Sequence, residues 1–136
     1  MHYGADMAPG AQTLTALARQ PGVTASAAIA ASGVAIALMP ERTSAVLGVQ
    51  TTSARGRAEV RAGLGGTFAA LGLWALARGT SDAYTAVGVT WLGAAAVRAL
   101  TLRVDEPETD ATFWTYLGLE LTLGVAGLLA GSRKQA

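Results

Sequence analysis

Charge is missing from this chain in four long blocks. Residues 23–39, 62–77 and 83–97 hold no charged side chain, and residues 111–131 hold only Glu120. A helix crossing the ~30 Å hydrocarbon core of a bilayer needs about 20 residues, within a usual range of ~17–25. Three of the blocks are at or below the short end of that range. Their flanks extend them, because arginine carries its charge to the interface on a long apolar stem. Such helices are apolar around most of their circumference, which in a soluble protein means burial on every side. A chain of 136 residues cannot bury four of them, because small domains keep too much surface. The expected fold is therefore all-α: an integral membrane four-helix bundle of one domain.

The helix ends are written in the punctuation. Pro21-Gly22 precedes the first block and Met39-Pro40 closes it. Thr52 or Ser53 is a good N-cap for the second helix, and Arg78-Gly79 is a C-terminal signature. The third helix starts after Ser81, Pro107 marks a loop, and Asp110 is placed to cap the fourth. The spans are expected at about 22–39, 54–78, 82–103 and 110–132. Residues 1–21 read as an N-terminal tail or surface helix and 133–136 as a C-terminal tail. Residues 44–49 read as a short interfacial or re-entrant piece. A cleaved leader is disfavoured, since the first apolar run and the segment before it are both long for one.

Composition removes whole classes of function. There is no cysteine, which excludes disulfides and thiolate chemistry, and the only histidine is His2, which excludes a histidine-based triad or zinc site. The net charge of +1 and the lack of any Lys/Arg block give no footprint for nucleic acid. No cofactor is expected. The acidic loop Asp105, Glu106, Glu108 and Asp110 reads as solvated, with acids suited to the start of the fourth helix, and no metal site is expected there. With four spans, Arg42, Arg55, Arg57, Arg61, Arg98 and Arg103 fall on one side and Arg19, Arg78, Arg133 and Lys134 on the other. The positive-inside rule favours the first side as cytoplasmic.

The charges that remain inside the spans are the candidates for function. Glu120 has nine uncharged residues before it and eleven after it in its block, which puts it near the bilayer midplane. A charge there costs ~2.5–3.5 kcal/mol on insertion scales, so the carboxyl is expected to be ion-paired or kept as the neutral acid. A neutral acid in a dry pocket is a hydrogen-bond donor and a potential general acid. On its helix Glu120 shares a face with Gly124, Gly127 and Gly131, and small residues are what let membrane helices approach. Arg98 is the natural partner. It closes a stripe of Tyr84, Gly88, Trp91, Ala95 and Arg98 on the third helix. Glu59, ahead of Gly63 and Gly66, is expected to point inward as a second acid. Arg61, about 200° around the helix from Glu59, is a candidate for a polar head group. Other small-residue pairs are Gly33 with Ala37 and Ala62 with Gly66. Trp114 and Tyr116 read as an aromatic belt.

The segments AEVRAGLGG (58–66), VRALTLRVDEP (97–107) and YLGLELTLG (116–124) resemble a family of small bacterial four-helix membrane proteins. That family is domain of unknown function 4345, related to the DoxX-like group. The resemblance covers roughly residues 22–131 and rests on Glu59, Gly65, Gly66, Arg98, Asp105, Pro107 and Glu120. It implies a multi-pass protein of the bacterial inner membrane. It implies no reaction, and DoxX-like proteins are associated with quinone-linked redox modules. Three functions follow as expectations. The first is binding of a hydrophobic small molecule (a quinone, an isoprenoid or another lipid) around Glu120 and Arg98, with Trp91, Tyr84 and Arg61 as further ligand contacts. The second is a cofactor-free enzyme using Glu120 or Glu59 as general acid for isomerisation, cyclisation or epoxide opening. The third is an accessory or scaffolding subunit docking on a membrane partner or a second copy of itself. A transporter is a weaker fourth, since no inverted repeat is visible.

Overall fold

The computed structural model describes residues 9–132, and these residues contain helices and no strand. Helix α1 spans Pro9–Leu38, the short α2 Pro40–Val46, α3 Ala54–Arg78, α4 Ser81–Val104 and α5 Ala111–Gly131. Residues 9–21, read from the sequence as a tail or surface helix, continue the first helix. Pro21 lies within it, because a proline lacks one N–H but the turns on either side keep theirs. The tail at 133–136 and residues 1–8 lie outside the described residues.

Local chemistry sets the other ends. Of Thr52 and Ser53, it is Ser53 whose Oγ accepts from the Gly56 N–H at 3.0 Å. Thr80 accepts from Ala83 at 3.4 Å, and Asp110 accepts from Phe113 at 2.9 Å. Gly79 ends α3 in the left-handed region, at φ 57°, which a residue with a Cβ resists. Pro40 supplies the first turn of α2, where its missing N–H costs nothing.

Helix α1 lies between α3 and α5, and α5 packs most extensively on α4. Backbones touch along these seams because glycine lets them. Gly33 of α1 lies against the backbone of Phe68 and Ala69, and Gly72 against Ser26 and Ala30. Across the other seam Gly88 and Gly127 face each other; a Cβ on Gly127 would fall 2.7 Å from the Gly88 Cα. Buried Ala25, Ile29, Ala75, Ala83, Val87 and Trp91 fill the centre.

The inward face of α3 is not the one its spacing leads one to expect. Residues Val60–Gly66 form a π-helical stretch, in which hydrogen bonds reach one residue further and the register turns. Gly65 is buried against Ala37, whereas Ala62, Gly63 and Gly66 are exposed.

Four stretches, Gln20–Leu38, Ala54–Arg78, Ser81–Val104 and Ala111–Gly131, are long and apolar enough to cross a membrane. At 21 residues the shortest complete helix among α3, α4 and α5 is about 32 Å long. Only 17–39% of each span is buried inside the protein. Leu73, Trp74, Val89, Val97, Leu121 and Leu129 all point outward. An apolar exterior of this extent is incompatible with water, and lipid is the solvent that suits it. The chain is a multi-pass membrane protein.

Candidate intramembrane binding site

The stripe on α5 and the stripe on α4 face each other. Glu120, Gly124 and Gly127 are buried on one, and Tyr84, Gly88, Trp91 and Ala95 on the other. Towards the C-terminal end of α4, Arg98 meets Glu120. The guanidinium Nε donates to Oε2 at 2.9 Å, and Nη2 donates to Oε1 at 2.7 Å. The Glu120 side chain is 6% exposed and that of Arg98 25%. Two parallel charge-assisted bonds are the strongest form such a pair takes. Both carboxyl oxygens of Glu120 accept from the one guanidinium.

Aromatic rings hold the cation from the other sides. The Arg98 guanidinium lies 5.6 Å from the centroid of Phe113 and 5.5 Å from that of Tyr116. Both distances are within reach of a cation–π attraction. Residues 113, 116 and 120 continue the 120–124–127–131 stripe backwards at spacings of three and four. That continuation is the signal by which Phe113 was legible; read as the interface belt, Tyr116 belongs instead to the pair. Trp114, the other belt residue, is half exposed and meets Phe113 edge to face at 5.4 Å.

Beside the ion pair lies a cavity of about 400 Å³. All five helices contribute to it. Ile29 and Ile36 come from α1, Val46 from α2, Leu64 and Phe68 from α3, and Ala94 from α4. Trp91, Arg98, Tyr116 and Glu120 line it as well, and Ser32, Thr43 and Thr90 add hydroxyls. Two of those hydroxyls are already engaged, since Thr90 donates to the Ala86 carbonyl and Thr43 to that of Met39. The Trp91 indole N–H donates to the Ala25 carbonyl at 3.2 Å, so the ring offers the cavity a flat apolar wall. Among the described residues Arg98 Nη1 makes no hydrogen bond, and it is the one guanidinium nitrogen left over. The contribution of α2 was not legible, because seven residues after a proline carry too short a period to orient.

Three residues read as site candidates stand elsewhere. Tyr84 is buried against Gly22 and Ala130, fourteen residues and about 21 Å along α4 from Arg98, at the far end of the bundle. Glu59 points outward, 73% exposed, and pairs with Arg55 at 3.9 Å; the inward placement expected for it is corrected, because the face that packs runs through Gly65 and Gly72 rather than through Gly63 and Gly66. Arg61 is exposed and donates to the Ala37 carbonyl, closing the end of α1 from a neighbouring helix. Neither Glu59 nor Arg61 lines the cavity. Glu59→Gln is accordingly expected to leave both thermal unfolding and any co-purifying ligand unchanged, within the few tenths of a kcal/mol of an exposed helix pair. A loss of bound ligand in that variant would bring Glu59 back into the site.

No group of three acidic or histidine side chains able to hold a metal occurs among the described residues. No family model matches the chain, and no curated protein or solved structure matches it.

Proposed function

We propose that this protein binds one neutral, hydrophobic small molecule in the intramembrane cavity, with an acceptor group of the ligand on Arg98. The observation that carries this is the cavity itself: about 400 Å³, apolar over most of its wall, with one charged corner. Ligand sites have this form, at ~300–1,000 Å³ with a few placed polar groups. The charge of that corner narrows the ligand. Arg98 and Glu120 neutralise each other, so a charged ligand would bring an uncompensated charge into a medium of low dielectric constant. A carbonyl or hydroxyl oxygen needs only a donor, and Arg98 Nη1 is one. Quinones, isoprenoid alcohols and other neutral lipids fit that description.

The resemblance to domain of unknown function 4345 and the DoxX-like group, with a place in the bacterial inner membrane, belongs to the same reading. General-acid chemistry at Glu120 draws no support from a carboxylate whose two oxygens both accept from arginine.

The test is mass spectrometry of small molecules that co-purify from membranes in mild detergent. Ala94→Phe fills the cavity from one wall, and Arg98→Met/Glu120→Leu removes the polar corner while keeping the volume. A stoichiometric neutral compound is expected with the wild type and is expected to be lost from both variants. Its retention by Ala94→Phe would place it on the outer surface. The absence of any compound from all three folded proteins would sink the binding reading in favour of a scaffolding subunit.

A further inference from the structure

A second polar feature lies outside the cavity, where α1 gives way to α2. Here the start of α3 runs past Leu38–Arg42 and forms a recess of about 220 Å³. Arg42, Arg57 and Arg61 line it, with Glu41, Leu38, Met39 and Pro40. Three guanidinium groups against one carboxylate leave a net charge of two positive units around it. The pairs present do not use these groups up. Arg57 Nε lies 3.4 Å from Glu41, which leaves its two terminal nitrogens free of that contact. Arg61 uses one nitrogen on the Ala37 carbonyl. Arg42 makes no ion pair among the described residues.

The location is as informative as the charge. The span Gln20–Leu38 ends at this recess, so it sits at the level of the lipid head groups. Leu38 and Met39 form its outward edge and are 69% and 45% exposed, which offers acyl chains an apolar flank beneath the cations. The acidic residues of the α4–α5 loop make no ion pair with these arginines among the described residues. Guanidinium forks suit phosphate oxygens in a way that a lone ammonium does not.

We infer that the recess formed by Arg42, Arg57 and Arg61 holds the phosphate of an anionic phospholipid, with the lipid's chains lying along Leu38 and Met39. This site is separate from the cavity and takes a charged ligand where the cavity takes a neutral one. Phosphate free in solution shares the same chemistry but gains nothing from the apolar edge.

Native mass spectrometry of the purified protein tests this. The protein is titrated in mild detergent with phosphatidylglycerol, with zwitterionic phosphatidylcholine, or with inorganic phosphate. One phosphatidylglycerol is expected to bind in preference to phosphatidylcholine and to weaken as ionic strength rises. A basic side chain near a lipid surface contributes about fivefold in affinity, so Arg42→Gln/Arg57→Gln is expected to weaken it on the order of 30-fold. Arg55→Gln, on the exposed face of the same turn, is expected to change nothing. Should the double variant not fold, Arg42→Gln alone is expected to show the fivefold loss. Equal binding of the lipid to all the variants, or equal binding of the two lipids, would overturn the inference. Inorganic phosphate displacing the lipid at comparable concentration would assign the recess to free phosphate and overturn the lipid.

Discussion

Glu120→Gln is expected to lose about 3 kcal/mol of stability in reversible unfolding from detergent micelles. Breaking a buried ion pair by removing one partner typically costs ~3–5 kcal/mol. Arg98 lies six residues from the end of α4, where its long stem can carry part of the charge towards the interface, which places the loss at the low end of that range. Arg98 cannot shed its charge, and its side chain is three-quarters buried among Glu120, Phe113 and Tyr116. The decisive companion is Arg98→Met/Glu120→Leu. Replacing a whole buried pair by apolar residues of similar size is often neutral or stabilising, so the double variant is expected within about 1 kcal/mol of the wild type. Stability and function then separate. If the pair receives no ligand, the double variant behaves as the wild type in every assay. If Arg98 receives a ligand, the double variant is stable and empty. A double variant as unstable as Glu120→Gln would mean that the pair, rather than the removal of an unpaired charge, holds the two helices together.

The second large effect lies at the seams. Gly33→Ala is expected to cost roughly 3 kcal/mol, the upper part of the usual range for overpacking. Its new Cβ would collide with the Ala69 backbone nitrogen and come within 2.7 Å of the Gly65 carbonyl oxygen. Backbone atoms of a helix cannot turn aside as a side chain can. Gly127→Ala meets Gly88 at 2.7 Å and is expected to be costly for the same reason. Gly118→Ala meets nothing within 4 Å and is the control. There the better helix propensity of alanine is expected to leave stability unchanged or raised by up to ~1 kcal/mol. Thermal unfolding of the three variants in one detergent gives the comparison. Equal effects at Gly33 and Gly118 would show that close approach of α1 and α3 does not limit stability.

The stripe logic that led to Arg98 and Glu120 worked because α4 and α5 are uninterrupted α-helices. Residues three and four apart stay on one face, so a charge in line with small residues has to face protein. The same logic failed for Glu59. The face chosen for it ran through Gly63 and Gly66, whereas the helix packs through Gly65 and Gly72, and three glycines in four residues leave the choice of face open. Tyr84 failed differently. It lies on the inward face of α4, as its spacing says, but a face runs the length of a helix and the cavity occupies only one end of it. Phe113 lay on a stripe that simply needed to be followed further.

Residues 23–39, 62–77, 83–97 and 111–131 already require helices and a lipid surround. Unpaired backbone groups and unpaired charges are too costly in hydrocarbon for any open alternative, and that constraint acts on each segment by itself. The caps at Ser53 and Asp110 and the stop at Gly79 are equally local, since each depends on atoms within a few residues. What belongs to the tertiary structure is the pairing of Nε and Nη2 with the two oxygens of Glu120, the rings around the guanidinium, and the cavity that α2 helps to line. These depend on distances between helices that are far apart in the chain. Those distances are set where Gly33 and Gly127 let two backbones touch, and by the turn of α3 at its π-helical stretch.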